Sequence, residues 1–115
     1  MLLMIARVIS LAMLMALPIN GHAGYLDGNM LYELCSSEKG DEFYYMNASE
    51  CRGYITGVAD TLDGFSFCIP NQVTKGQNAD IVTKYLSDHP EDRHRDGHAI
   101  TAQALSLAFP CATKK

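Results

Sequence analysis

Four cysteines, Cys35, Cys51, Cys68 and Cys111, all follow a stretch with the three-part pattern of an export leader. That combination restricts what this chain can fold into more than any other feature. Met1 to Ala23 carries one positive charge, Arg7, then an apolar run from Val8 to Leu17, then Pro18. The run closes on Gly21-His22-Ala23, with small residues at the two positions a signal peptidase reads, so cleavage before Gly24 is expected. Roughly ten apolar residues are too few to span about 30 Å of hydrocarbon. No cysteine lies near the cut, so a lipid anchor is not indicated. An even cysteine count in an exported domain reads as a disulfide framework. No two cysteines stand closer than 16 residues, which excludes a CxxC redox site and a zinc finger.

Residues 24–115 are enough for one domain. A domain of this size buries only about 60–65% of its unfolded surface, so cross-links carry much of its stability. After Ala23 the chain holds all 13 Asp and Glu against eight Lys and Arg, with no basic stripe. Nothing there grips a phosphate backbone, so nucleic acid is excluded as a partner. No low-complexity tract or internal repeat interrupts the chain.

The periodicity is helical almost throughout, and the fold class expected is all-α: a compact bundle of about four short helices tied by two disulfides. Asp27 is placed to cap a helix running to about Ser36 that brings Met30, Leu31 and Leu34 together. Ser37 to Glu42 is polar and turn-like, and Phe43-Tyr44-Tyr45-Met46 reads as an aromatic loop. Asn47-Ala48-Ser49-Glu50 has the capping-box arrangement and predicts a helix start. That helix carries Tyr54, Ile55, Val58, Ala59 and Leu62 as a buried stripe and ends at Asp63-Gly64. A second capping box, Thr74 with Gln77, opens a helix over 75–88 that presents Ile81, Val82, Tyr85 and Leu86. His89-Pro90-Glu91-Asp92 predicts a break and then a helical turn, with proline first and acids at the positive end of the dipole. Gly97 predicts a restart near Asp96. The last helix, from His98 to about Phe109, is expected to bury Ile100, Ala104, Leu105 and Ala108 before Pro110 stops it.

Four cysteines allow three pairings. Cys35 ends the first helix and Cys51 begins the second, so antiparallel packing would bring them together. Cys68 and Cys111 each follow a helix C-terminus and could meet likewise. These pairings, 35–51 and 68–111, are the ones geometry favours, provided the Cα atoms come within about 4.4–6.8 Å.

Few constellations here point to catalysis. His94 and His98, at i and i+4, could share a helical face and hold a metal ion, but Gly97 lies between them and no third ligand sits at a diagnostic spacing. Mixed charges near a helix start account for that cluster, so no metal and no cofactor is expected. Paired carboxylates arise by chance among so many acids, and a bridged sulfur cannot act as a nucleophile. No G-x-S-x-G, phosphate loop or dinucleotide fingerprint occurs, and an enzyme is not indicated.

The order of motifs carries a family resemblance. Gly28-Asn29 leads to Leu34-Cys35, and Cys51-Arg-Gly-Tyr-Ile-Thr-Gly-Val58 follows. Then come Phe67-Cys68-Ile-Pro70, Val73-Thr74 with Gln77, Ile81-Val82-Thr-Lys-Tyr85-Leu86, His89-Pro90-Glu91 with Arg93-His94, and Ala104-Leu105 to Ala108-Phe109-Pro110-Cys111. Together these resemble the Rap/Tai immunity family over nearly all of residues 24–115. The sequence departs from that pattern at Asp96-Gly97, where the family usually carries helix-favouring residues. The resemblance implies a periplasmic, mostly helical, disulfide-containing protein, often a homodimer. It also implies an inhibitor that plugs the cleft of a peptidoglycan amidase effector delivered by type VI secretion.

A cleft-blocking protein needs a projecting, preordered loop. The segment from Asp88 to Arg95 is the first candidate, with Asp88, His89, Glu91, Asp92, Arg93 and His94 as contact residues. The second is Glu42, Phe43 and Tyr45, whose aromatic character suits a binding hot spot, although two of the four large side chains at 43–46 are as readily placed inward. Two other classes fit a small exported helical protein: an acid-stress periplasmic chaperone and an adaptor of an envelope complex. No membrane contact is expected once the leader is gone.

Overall fold

The structure is a computed structural model that describes Leu2 and residues 24–112; the leader reading lies, apart from Leu2, outside the described residues. Asp27 caps the first helix, α1 (Gly28–Cys35), accepting the Met30 N–H at 2.9 Å. Ser36 closes it, its N–H reaching Tyr32 O at 2.9 Å. The second helix, α2, spans Tyr44–Leu62; α3 spans Lys75–Asp88; a 3₁₀ turn covers Pro90–Asp92; and α4 spans Gly97–Ala108. Among the described residues there is no strand, only isolated bridges such as Asp27 with Asp96. No described helix is long and apolar enough to cross a membrane.

The second capping box forms as expected. Thr74 Oγ1 accepts the Gln77 N–H at 3.1 Å and Gln77 Oε1 accepts the Thr74 N–H at 2.7 Å, so α3 begins where the local chemistry directs. The first box does not form. Helix α2 starts four residues earlier than that box would place it, at Tyr44, with Phe43 at a cap position that makes no side-chain bond. Asn47 is already helical, its N–H bonded to Phe43 O at 2.9 Å, while its Nδ2 donates to Ser37 Oγ at 3.3 Å. The polar turn before it supplies the physical reason. Asp41 Oδ2 takes the Glu38 N–H and the Ser37 hydroxyl, and Asp41 O takes the Tyr44 N–H at 3.1 Å, so the chain turns into the helix at once. Tyr44, Tyr45 and Met46 are therefore the first turn of α2 rather than a loop.

The core is built where the four helices meet. Leu31 from α1, Ile55 from α2, Val82 and Leu86 from α3, and Ile100 and Leu105 from α4 are all essentially inaccessible. Phe67, from the α2–α3 connection, completes the cluster. Each such side chain contributes about 1.5–3 kcal/mol by leaving water. Ile81 and Tyr85 pack against the cluster as half-buried residues, as do Tyr54 and Leu62 of the stripe expected on α2. Two details of α4 differ from expectation. Ala108 is exposed, because the last turn of α4 stands at the surface. Thr101 is fully buried, its hydroxyl satisfied by Gly97 O at 2.8 Å.

Both disulfides pair as geometry favoured: Cys35–Cys51 with Cα atoms 5.1 Å apart and Cys68–Cys111 at 4.8 Å. They close loops of 16 and 43 residues. In the chain-entropy account these contribute about 3 and about 4 kcal/mol. The second bridge is reinforced by Cys68 N–H to Phe109 O at 2.9 Å and by Ser106 Oγ to Ser66 O at 3.0 Å.

Candidate functional site: a braced turn and an aromatic edge

The turn between α3 and α4 is assembled from both sides. Helix α3 ends with the His89 N–H on Tyr85 O, and Pro90 starts the 3₁₀ turn, which closes with the Asp92 N–H on His89 O at 3.0 Å. From below, two N–H groups at the start of α1 hold the turn: Gly28 N–H on Arg95 O at 2.8 Å and Asn29 N–H on Arg93 O at 2.9 Å. These are donors that a helix N-terminus cannot satisfy internally. The approach is so close that a Cβ on Gly28 would lie 2.7 Å from Arg93 O.

Side chains tighten the same segment. Tyr85 Oη donates to Asp92 Oδ2 at 2.9 Å, and its ring stacks on His89 with centroids 4.3 Å apart. Burial, and then the hydrogen bond to Asp92, push the Tyr85 hydroxyl pKa up. Asp92 also faces Arg95 at 4.0 Å, and Arg95 Nη1 donates to Gln103 Oε1 on α4 at 2.6 Å. His89 Nδ1 lies 2.9 Å from Glu91 Oε1, and that hydrogen bond holds the Glu91 carboxyl below its ordinary value. Asp88 is lowered likewise by its hydrogen bond from Lys84.

Of the residues expected to meet a partner here, Asp88, Glu91 and His94 are exposed, while His89 and Asp92 are half-buried. Arg93 faces the other way. Its Nε donates to Leu86 O at 2.6 Å, its Nη2 to Ser87 O at 3.3 Å, and its guanidinium lies 3.8 Å from the centre of the Tyr32 ring. It terminates α3 and joins it to α1, as a cation at a helix C-terminus does.

The second candidate patch stands outward. Phe43 is 55% exposed, Tyr45 85% and Met46 60%, with Tyr44 half-buried and set edge-on to Tyr45 at 5.1 Å. Glu42 beside them is exposed. Of the two arrangements left open for these aromatics, the outward one holds for Phe43 and Tyr45.

The His94–His98 pair does not share a helical face, because α4 begins only at Gly97 and the His94 ring turns to Glu91 O at 3.0 Å. The residues whose donor atoms converge are instead His89, Glu91 and Asp92, within 4.8 Å of one another. All three are engaged with protein partners: His89 and Glu91 with each other, Asp92 with Tyr85 and Arg95.

Two surfaces escaped the sequence reading. An open apolar groove of about 500 Å³ runs along α2, lined by Gly53, Tyr54, Gly57, Val58, Leu62 and His98. A Cβ added at Gly53 or Gly57 would meet nothing. Two glycines four residues apart in a helix were the signal for it. The other is a polar cleft of about 220 Å³ between α2 and α3 that includes Asp60 and Asn78. No local motif marked it, since its residues come from separate helices.

Among proteins of curated function, none matches the chain. The sequence model of a family described as Rap1a immunity proteins does match, over residues 27–111. That range runs from the cap of α1 to the last cysteine and takes in all four helices and both bridges. The chain belongs to the Rap1a immunity protein family.

Proposed function

We propose that this protein protects its producer by binding a secreted peptidoglycan amidase effector of a type VI system and occluding the effector's active-site cleft. The reading places it in the periplasm after removal of residues 1–23, with residues 24–115 as the immunity domain. It acts by occupancy rather than by catalysis and needs no cofactor. Membership of an immunity family supports a secreted effector as the partner, and two disulfides fit an oxidising compartment.

One observation carries the occlusion reading. The 88–95 turn is fastened to α1, α3 and α4 by backbone and side-chain hydrogen bonds, yet turns Asp88, Glu91 and His94 outward. A turn ordered before docking loses little entropy on entering a cleft. Glu42, Phe43 and Tyr45 form the second contact: the aromatics anchor and the acids steer encounter. His89 and Asp92 hold the turn's shape. The α2 groove around Gly53 and Gly57 supports self-association as a homodimer, because two exposed helix glycines allow another backbone to approach closely.

The test is protection of cells that express the amidase in the periplasm. Exported protein is expected to restore growth and a leaderless version is not. Equal protection by both would place the action elsewhere.

A further inference from the structure

The residues before α1 and those before α4 run antiparallel. They are fastened by Gly97 N–H on Leu26 O at 2.7 Å, by the Asp27–Asp96 bridge and by Gly28 N–H on Arg95 O at 2.8 Å. Gly97 permits the approach, since a Cβ there would lie 2.9 Å from Leu26 O. This pairing delivers Gly24 to the exit of the braced turn. A Cβ on Gly24 would lie 3.5 Å from Asp96 Oδ1 and 3.3 Å from His98 Nδ1. The Gly24 nitrogen is bonded to the same Cα, so it lies within about 6 Å of that carboxylate. Gly24 and Asp96 are both half-buried, and they share a hollow with Tyr25, Asp27, Met30 and His94. Among the described residues lining it there is no lysine or arginine, only the two carboxylates and His94, whose Nδ1 lies 3.0 Å from Glu91 O. From α4 the His98 ring faces Gly24, and from α2 the Tyr54 hydroxyl, whose pKa burial raises, also feels the Asp96 charge.

We infer that removal of the leader arms the braced turn: the ammonium that cleavage creates on Gly24 pairs with the Asp96 carboxylate and closes the clasp between residues 24–29 and 93–97. The inference rests on the cleavage reading in the proposed function and adds regulation to it, an inhibitor completed only on export. Hydrolysis of the Ala23–Gly24 bond leaves the water oxygen on the Ala23 carboxyl and turns an uncharged peptide N–H into an amine that takes up a proton at neutral pH. An opposite charge within about 4–6 Å favours that ionised form. Salt screens a half-buried pair less than an exposed one. A carboxylate has about four lone-pair sites, so Asp96 takes the ammonium alongside the contacts it already makes. Asp96 directly follows the 88–95 turn, so holding it fixes the turn's exit, as Gly28 and Asn29 hold its backbone. Pairing raises the folded pKa of the amine, so its stabilisation is complete below the ordinary α-amino value and is lost as pH rises through the folded one.

The experiment compares two disulfide-bonded chains released from a fusion by a protease: one begins at Gly24, and the other keeps Ala23, which moves the ammonium about 3.5 Å outward. Each is made with Asp96 and with Asp96→Asn, and followed by NMR. Near neutral pH, amide exchange at Gly28, Asn29 and Gly97 is expected to be about three- to tenfold faster in the chain that keeps Ala23, and Asp96→Asn is expected to abolish the difference. The Gly24 α-protons are expected to titrate above the ordinary α-amino range of about 7.7–8.0, and Asp96→Asn to bring them back to it. Equal exchange in the two chains, or a Gly24 titration that Asp96→Asn leaves unmoved, would overturn the proposal. Asp96→Asn speeding exchange equally in both chains would overturn it too, since Asp96 would then act through its other contacts. If Asp96→Asn does not fold, the two chains that keep Asp96 decide the matter alone. Intact mass of the exported protein tests the leader reading separately. A start other than Gly24 would refute cleavage there and the arming with it, whereas equal exchange would refute the arming alone.

Discussion

Gly28 sits where α1 meets the 88–95 turn, and a methyl group has no room there. Its Cβ would press on backbone atoms of Arg93, which cannot swing aside as a side-chain tip would. Gly28→Ala is therefore expected to lower stability by about 1–3 kcal/mol in urea unfolding. Arg93 is the other fixed point. Arg93→Met keeps the aliphatic packing but removes the bonds to Leu86 O and Ser87 O and the stack on Tyr32. A loss of about 2–3 kcal/mol is expected, because these are bonds from a charged donor. If unfolding were unchanged while effector binding fell, Arg93 would be a contact residue after all. Asp88 gives a small pH effect with a definite sign. Its folded pKa is depressed by Lys84, so the stabilisation is complete above the ordinary value of 3.8 and fades as pH falls through the lower one. Asp88→Asn is expected to flatten that part of the acid limb in a pH-unfolding series.

At the scale of elements, α2 is the helix whose composition its own fold does not explain. Gly53 and Gly57 each weaken a helix by about 0.5–1 kcal/mol relative to alanine, and neither is crowded within the chain. Replacing both with alanine is expected to raise thermal stability of the monomer and, under the homodimer reading, to shift sedimentation towards monomer. Helix boundaries show where local chemistry decides and where it does not. The Thr74–Gln77 box is self-contained, and α3 follows it from Lys75 to Asp88. The Asn47–Glu50 pattern is chemically similar, but Asp41 turns the chain into the helix before Asn47 is reached, and Asn47 bonds to Ser37 instead. A competing partner ten residues upstream cannot be read from four residues of sequence. Ala108 was misplaced for a related reason: periodicity gives a face, but not where the helix leaves the core. The cysteine pairing was legible because helix ends and loop lengths largely decide which thiols meet. The Asp60–Asn78 cleft was not, since it exists only once two helices pack.

For the molecule as a whole, the bridges and the core act together. Removing Cys35–Cys51 by paired serine substitution is expected to cost about 3 kcal/mol, and removing Cys68–Cys111 about 4 kcal/mol, read as a fall in denaturation midpoint. Under the proposed function, a stapled helical scaffold holds one braced turn and one aromatic edge against an effector. The most direct test is a titration of the purified, disulfide-bonded protein into the amidase of the same type VI system, following cleavage of peptidoglycan stem peptides. Hydrolysis is expected to fall linearly to zero near the stoichiometric ratio. Hydrolysis undiminished at a large excess of the protein would contradict the proposed function.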